Sequence, residues 1–370
     1  MSGKDTKSTA TIAENAALAK DKRGFPFKKT FFALLIVLIV LSIFLLIINI
    51  VINSYFSKVK VFDGVWSVDK QKVQSIPMYA DNQGYFAQNE ELHAAYDAAL
   101  LNHAQATADM RYDEHVYNYA IFGVDQFDDA KTKHDPAADI IMIVSVNEEK
   151  DQVTFLSFET RMLVYIPSVG VGPINDAYVL GGPQLLANTL EQNYGVQLDG
   201  FVELNMSAFT ELIGVFGEIE FDANEALVAR INEDIALFNE AKGLTGDDAV
   251  KAAKLENGKV KLVGQQTLAY MRNAGADKSA IANSVLSQLT AKIYDDGFGG
   301  IKTTLDIALE RMMVSMVRED VGALITIGMS VLESVKTTPV GNLEGRAKVT
   351  IVGFTCDYQA ERAAIVKALY

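Results

Sequence analysis

The sequence is short of the residue types that build the commonest disulfide and metal sites. Cys356 is the one cysteine among 370 residues, so neither an intrachain disulfide framework nor a cysteine-rich zinc or iron–sulfur site is available. The chain has four histidines, and none has the His-x-x-x-His spacing of a helical metal site: His93, His103, His115 and His134. Histidine-based metal sites are therefore not expected.

Basic residues are scarce relative to acidic ones. The chain has 33 lysines and arginines against 47 aspartates and glutamates, which gives a formal charge of −14 at pH 7. Nucleic acid is therefore not an expected partner, because its phosphates require a basic face. Hydrophobic residues make up 49% of the chain, which is too many for a disordered protein.

Generic catalytic motifs are absent as well. The sequence contains neither a Gly-x-Ser-x-Gly nucleophile elbow nor a His-Glu-x-x-His zinc motif. The glycine-rich stretch 297–303 has a lysine, but this lysine does not directly follow a glycine and no apolar strand precedes the stretch. A phosphate-binding loop is therefore not predicted there.

A long apolar run near the N-terminus predicts a membrane anchor. Residues Phe31–Ile52 form a run of 22 residues without a charge. A helix of this length spans a hydrocarbon core of about 30 Å. No small-residue cleavage pattern follows, so we expect an uncleaved anchor rather than a secretory signal. Residues 1–29 have seven basic and three acidic side chains, which predicts a cytoplasmic N-terminus and an extracellular C-terminal domain.

The remaining chain reads as an α/β protein. Three apolar strands are predicted, over Val116–Gly123, Ile140–Val146 and Gln152–Phe158, and runs of this kind indicate a sheet buried on both faces. Helical segments follow, so we predict a three-layer α/β/α domain with a central mixed sheet. Helix starts are expected at Asn89, Pro183 and Ser207, and a last strand is expected over 348–354.

These patterns divide the chain into five segments. They are a cytoplasmic tail (1–29), a transmembrane helix (30–55), a juxtamembrane accessory module (56–116), an α/β domain (117–295), and C-terminal helices with one strand that complete the ectodomain (296–370).

Several motifs, taken in order, resemble those of one family. The strand ending in Gly123-Val124-Asp125, followed by a polar loop and the run Asp139–Asn147, resembles the opening of the LytR–CpsA–Psr (LCP) family. Further along, Ile174–Pro183 is similar to the family's Ile-Asn-Ala-Ala-Tyr-x-x-Gly-Gly signature. Leu262–Arg272 is similar to its Leu-Asn-Gly-Glu-Gln-Ala-Leu-x-Tyr-[AV]-Arg. The resemblance covers roughly residues 117–295.

The resemblance implies an activity. LCP proteins are outward-facing enzymes that take a glycopolymer from a polyprenyl diphosphate carrier and attach it to peptidoglycan or another wall acceptor. The prenyl chain lies in an apolar tunnel between sheet and helices, acidic residues hold Mg²⁺ against the diphosphate, and arginines complete the charge neutralisation. Such phosphoryl transfer depends mainly on positioning and on electrostatic stabilisation.

Residues of this chain can be assigned to those roles by the same resemblance. The expected Mg²⁺ ligands are Asp125 and Asp139, and the expected catalytic residues are Arg272, Arg161 and Asp277. The expected lipid- or diphosphate-binding residues are Asn175, Tyr178, Lys131 and Lys133.

The match is incomplete among the arginines. The family's Arg-Asp pair aligns with Thr160-Arg161, so the arginine is displaced by one residue. A second arginine is replaced by Ala274, and the following helix has Ala280, Asn283 and Ser284 where the family has two arginines and a glutamine. Lysines do not replace the bidentate contacts of guanidinium groups with phosphate.

Three functions therefore stay open. The first is a transferase with a rebuilt cluster of cations. The second is a catalytically degenerate LCP protein that binds the polyprenyl carrier or partners an active paralogue. The third is a structural protein of the envelope that contacts other envelope proteins. Purely structural readings of the single residues also stay open: Asp125 and Asp139 as turn or cap residues, Asn175 as an Asx turn, and Arg272 as a charge at a helix C-terminus.

Overall fold

The computed structural model describes residues 60–62, 67–124, 136–273, 278–315, 335–340 and 348–370. The predicted tail (1–29) and the predicted transmembrane helix (30–55) lie outside these ranges. Among the residues that are described, no helix combines the length and the apolar character needed to cross a membrane.

The described residues form fourteen strands: β1 (Lys60–Val61), β2 (Val116–Val124), β3 (Ala138–Asn147), β4 (Gln152–Phe158), β5 (Leu163–Ile166), β6 (Gly170–Pro173), β7 (Gly200–Asn205), β8 (Ile219–Asp222), β9 (Leu255–Glu256), β10 (Lys259–Leu262), β11 (Met312–Val314), β12 (Val335–Val340), β13 (Lys348–Val349) and β14 (Phe354–Thr355). They also form eleven helices: α1 (Lys70–Ser75), α2 (Pro77–Ala80), α3 (Asn82–Phe86), α4 (Glu90–Ala108), α5 (Asp176–Tyr194), α6 (Met206–Phe216), α7 (Glu225–Lys242), α8 (Gly264–Asn273), α9 (Lys278–Asp295), α10 (Gly297–Arg311) and α11 (Tyr358–Leu369).

Seven strands form a central mixed sheet in the order β1-β11-β7-β2-β3-β4-β12. Strand β3 is antiparallel to both of its neighbours, β2 and β4. Strands β7 and β12 run parallel to β2 and β4. The mixed sheet predicted from the sequence is therefore confirmed, and so are its three apolar strands.

Apolar side chains cover both faces of this sheet. On one face, Phe122, Ile141 and Leu156 belong to the same core cluster as Leu186 and Leu190 of α5. On the other face, Ile140 packs against a second cluster that includes Ile213 of α6, Met271 of α8 and Val285 of α9. Because alternate residues of a strand point to opposite faces, continuous apolar strands bury side chains in both clusters. The result is the predicted arrangement of helix, sheet and helix layers.

Most of the local helix signals are confirmed. The side chain of Asn89 accepts a hydrogen bond from the backbone N–H of Leu92 and caps α4. Helix α5 is broken at Gly181 and Gly182, restarts at Pro183 and ends at Gly195, whose φ of 68° is in the left-handed region.

The predicted cap at Ser207 is wrong. Asn205 holds that position, because its Oδ1 accepts a hydrogen bond of 2.9 Å from the N–H of Ala208. Helix α6 therefore begins at Met206 rather than after Ser207. Both residue types are good caps, and the asparagine stands where the extended backbone of β7 turns into the helix.

The predicted strand at 348–354 is instead a hairpin. Strands β13 and β14 pair antiparallel, and residues 350–353 turn between them. This hairpin lies on the segment after β4, since the N–H of Phe354 donates to the carbonyl of Arg161 at 2.9 Å.

Helices α1 to α4 pack beside α5 and the β5–β6 hairpin. The side chain of Asn102 donates to the carbonyl of Asn193 at 2.8 Å, and the side chain of Asn82 donates to the carbonyl of Val171 at 2.8 Å. These contacts place residues of the predicted juxtamembrane segment next to α5. The predicted site residues Asn175 and Tyr178 lie at the N-terminal end of the same helix. The boundaries drawn for that segment stay predictions.

Candidate functional site

One edge of the central sheet gathers the strand ends expected to form the site. Strands β2 and β7 are parallel and end together, with Val124 opposite Asn205. Strand β3 begins at the same edge, because Ala138 lies opposite Val124. Strand β4 also ends there, since it is antiparallel to β3. The predicted residues Asp125, Lys131, Lys133 and Asp277 lie outside the described residues.

Asp139 occupies a β-bulge at this edge. Gly123 lies opposite Ile140 and Val124 lies opposite Ala138, so Asp139 is an extra residue in β3 with no residue facing it on β2. A bulge of this kind bends the strand and redirects a side chain. Gly123 allows the close approach, since a Cβ at its position would be 2.8 Å from the Cβ of Ile140.

The bulge brings Asp139 into a narrow crevice with Arg272. Their crevice is otherwise lined by the apolar side chains of Ile140, Met206, Leu268 and Met271. Arg272 lies in the last turn of α8, and its Nη1 is 4.0 Å from Oδ2 of Asp234 on α7. A predicted metal ligand and a predicted catalytic residue thus lie together, in what we call the Asp139–Arg272 crevice.

Arg161 and Asn175 line a different site, a wider groove of about 600 Å³. The Nη2 of Arg161 donates to the carbonyl of Val352 at 3.1 Å, which ties the arginine to the β13–β14 hairpin. The Oδ1 of Asn175 is buried and has no hydrogen-bond partner. We call this site the Arg161–Asn175 groove. The displaced arginine does not line the same crevice as Asp139 and Arg272.

One further charged residue of the groove, and the buried residue that bonds to it, were not predicted from the sequence. Asp176 lines it, and Oδ2 of Asp176 accepts a hydrogen bond of 2.6 Å from the hydroxyl of Tyr79. Burial raises the pKa of Asp176, against the lowering effects of the Tyr79 hydrogen bond and of the charge on Arg161. Asp176 had a sequence signal, because it stands where the LCP signature has alanine. Tyr79 had none.

Tyr178 contacts another buried carboxyl group. Its hydroxyl donates to Oε2 of Glu203 on β7 at 2.9 Å. Burial raises the pKa of Glu203, and the hydrogen bond from Tyr178 lowers it by a smaller amount. Glu203 lies opposite Phe122 on β2, so this pair faces the α5 side of the sheet.

Few of the described side chains bear on the predicted Mg²⁺ site. Within the described ranges, no group of three or more histidine, cysteine, aspartate or glutamate residues has the arrangement of a metal site. Of the two predicted ligands, Asp139 is described and Asp125 is not. A site with one or two carboxylates that relies on phosphate oxygens for its other ligands is the type that Mg²⁺ usually occupies. Asp139 could supply one such carboxylate, and the Mg²⁺ site stays a prediction.

Comparison with known proteins places the chain in a family. The model of the LytR_cpsA_psr family matches residues 83–282, which is more than half of the chain. The chain belongs to the LytR–CpsA–Psr family. The matched range contains all residues of the Asp139–Arg272 crevice and half of those that line the Arg161–Asn175 groove.

Curated proteins of other bacteria are similar to parts of this chain. The chain is 29% identical over 150 residues to an uncharacterized protein of Staphylococcus aureus, covering 38% of this chain and 37% of that protein. It is 26% identical over 157 residues to the polyisoprenyl-teichoic acid–peptidoglycan teichoic acid transferase TagU of Enterococcus faecalis, covering 42% of this chain and 45% of that protein. The matched stretch is therefore less than half of the length of either relative.

Solved structures share the fold. TagT bound to LIIa-WTA superposes with a TM-score of 0.51 at 18% identity, over 70% of this LCP protein and 93% of TagT. Protein gbs0355 of Streptococcus agalactiae superposes with a TM-score of 0.52 at 20% identity, over 69% and 88% of the two chains. At these identities the likeness establishes the fold.

Proposed function

We propose that this LCP protein handles a glycopolymer linked to a polyprenyl (di)phosphate outside the cell membrane and transfers it to peptidoglycan or another wall acceptor. The observation that carries the proposal is the Asp139–Arg272 crevice. A bulge places a carboxylate at the sheet edge, and the last turn of α8 places a guanidinium in the same narrow space. Membership of the family supports the reaction class.

The two side chains suit complementary parts of a phosphotransfer. The guanidinium of Arg272 can donate two parallel hydrogen bonds to phosphate oxygens. The carboxylate of Asp139, together with Asp125, would hold Mg²⁺, which when bound supplies positive charge to the diphosphate. Apolar side chains of Ile140, Met206, Leu268 and Met271 line the rest of the crevice.

The proposal also assigns roles to the membrane helix and to residues outside the crevice. A membrane helix over residues 30–55 would hold the domain next to a carrier whose prenyl chain lies in the bilayer. Lys131, Lys133 and Asp277 would add to the site from the segments beside Asp139 and Arg272. Tyr178 would contribute through its hydrogen bond with Glu203 on the α5 side of the sheet.

A second candidate is carrier binding without turnover, alone or as the partner of an active paralogue. One observation favours it: Arg161 lines another groove and donates to the carbonyl of Val352. The site lacks the guanidinium of Arg161, and it also lacks the family arginine whose position is Ala274 here. Few positive charges would then remain to stabilise the transition state. Loss of one such arginine can cost about 10³–10⁵ in rate where it acts as an arginine finger.

The test is a transfer assay with the full-length protein and a polyprenyl diphosphate-linked glycopolymer. We expect Mg²⁺-dependent release of polyprenyl phosphate, and we expect Asp139→Asn to reduce the rate by about 10²-fold or more. Asp247→Asn, which changes a fully exposed carboxylate, is the matched control.

The outcomes separate the two candidates. Full activity in Asp139→Asn would remove this crevice from the mechanism. A wild-type protein that retains the donor lipid through purification, shown by mass spectrometry, but releases no polyprenyl phosphate would support the binding function instead.

A further inference from the structure

Helix α5 consists of two parts joined by two glycines whose backbone is not helical. Gly181 has φ and ψ of −161° and 15°, and Gly182 has 71° and −168°, so the helix stops before them and restarts at Pro183. The first part, residues 176–180, is only slightly longer than one helical turn. A helix this short is not stable by itself in water, because the cost of forming its first turn is not recovered. Its conformation therefore depends on contacts with other elements.

The break removes a helical hydrogen bond at the end of the first part. In an unbroken helix the carbonyl of Val179 would accept from the N–H of the residue four positions later, but that residue is Pro183, which has no N–H. The Nζ of Lys72 on α1 donates to this carbonyl instead, at 3.1 Å. The backbone N–H of Asp69, which caps α1, donates to the carbonyl of Leu180 at 2.9 Å. Helix α1 and its cap thus supply two donors at the break.

The same stretch of chain also holds the beginning of the first part. The hydroxyl of Tyr79 on α2 donates to Oδ2 of Asp176, the first residue of α5, at 2.6 Å. Val73 and Tyr79 are buried in the core cluster that contains Ala177. Residues 69–79 therefore bond to both ends of the first part, and we call them the α1–α2 strap.

The second part of α5 is held by other elements. Its side chains Leu185 and Leu190 are fully buried. The side chain of Asn193 accepts from the N–H of Tyr165 on β5 and donates to the carbonyl of the same residue. The carbonyl of Asn193 accepts from the side chain of Asn102 on α4. These bonds come from α4 and β5 rather than from the strap, so the two parts of α5 have separate supports.

We propose that the α1–α2 strap holds the first part of α5 in place, and that this part detaches from the sheet as a unit when the strap is released, while the second part stays. The first part contains Tyr178, whose hydroxyl donates to Glu203 on β7, so its release separates this pair. In sequence the strap follows the predicted membrane helix (30–55). The position of Tyr178 thus depends on the part of the chain nearest to that helix. The proposal is independent of whether this LCP protein transfers a glycopolymer.

The test is hydrogen–deuterium exchange of the full-length protein, read by mass spectrometry on peptides from the two parts of α5. Lys72→Met removes the Nζ donor and keeps an apolar stem, and Tyr79→Phe removes only the hydroxyl. Each change removes one hydrogen bond of the strap, so we expect the amides of residues 177–182 to exchange about tenfold faster in each variant. In the double variant these amides should exchange fully while those of residues 185–194 remain protected.

The matched control is Lys70→Met, which changes an exposed lysine of the same helix and should leave the exchange of residues 177–182 unchanged. Circular dichroism at the exchange temperature checks that each variant is folded. Loss of protection in both parts together would show that α5 opens as a single helix. Exchange of residues 177–182 at the wild-type rate in the double variant would show that the strap does not hold them. Either result would overturn the proposal.

Discussion

The Asp139–Arg272 crevice and the Arg161–Asn175 groove differ in shape and in how their residues relate to the family pattern. The crevice is narrow, and both of its charged residues match LCP motifs. The groove is wide, and its two charged residues are departures that interact with each other. The crevice thus keeps one aspartate and one arginine of the family pattern, whereas the groove has an arginine and an aspartate at positions where the pattern has other residues.

The largest expected effect is a difference in transfer rate between variants of the two arginines. Arg272→Gln should slow the release of polyprenyl phosphate by about 10³-fold or more, because a guanidinium that contacts the transferred phosphate stabilises the transition state. Arg161→Gln should slow it by less than about tenfold, since this guanidinium bonds to Val352 in the other groove.

The matched control for both arginines is Arg230→Gln. It removes an exposed guanidinium of α7 that donates to the carbonyl of Asn273, next to Arg272, at 3.4 Å. Equal losses in Arg272→Gln and Arg161→Gln would contradict the separation of the two sites.

The second largest effect is expected when the β13–β14 hairpin is displaced from the Arg161–Asn175 groove. A Cβ at Gly353 would lie 2.4 Å from the carbonyl oxygen of Arg161, so Gly353→Ala forces the β13–β14 turn away from the segment after β4. We expect a loss of about 1–3 kcal/mol in unfolding free energy. Transfer should persist, and chemical denaturation and the transfer assay measure the two effects.

Gly214→Ala is the control for that substitution. Nothing lies within 4 Å of the position that its Cβ would take in α6, and alanine is the better helix former. Its stability should stay the same or rise slightly. If Gly353→Ala behaved like Gly214→Ala, the hairpin would not be a wall of the groove.

Much of the sheet could be predicted because its signal is local. Strands β2 to β4 are continuous apolar runs, and the second part of α5 begins at Pro183 as expected. Strand β7 was not predicted, because Glu203 and Asn205 interrupt its apolar pattern. Glu203 is accommodated in the strand through a side chain from another element. Tyr178, the partner of Glu203, lies 25 residues away in sequence.

The sites themselves depend on geometry that the sequence does not carry. The resemblance pointed to Asp139, but alternation of side chains cannot reveal that Asp139 is an extra residue in its strand. The resemblance also placed Arg161 and Arg272 in one cluster. Their separation follows from the β13–β14 hairpin, which comes from the far end of the chain and holds Arg161 at Val352. Tyr79 reaches Asp176 across 97 residues, a contact that no local pattern indicates.

The smallest expected effect is the pH dependence of stability that Asp176 contributes. Burial raises the pKa of Asp176 in the folded protein, so the folded state holds this proton more tightly than the unfolded state does. The stability that Asp176 contributes is thus present at acid pH and is lost as pH rises through the raised pKa. Asp176→Asn keeps an oxygen acceptor for Tyr79 and removes the titration. We expect the melting temperature of the wild type, relative to this variant, to fall by roughly 2 °C between about pH 4 and pH 7. The fully exposed Asp247, changed to asparagine, should show no such trend. A difference that grows in favour of the wild type with rising pH would mean that the charge of Arg161 outweighs burial, and that the groove is built to hold an ionised carboxylate.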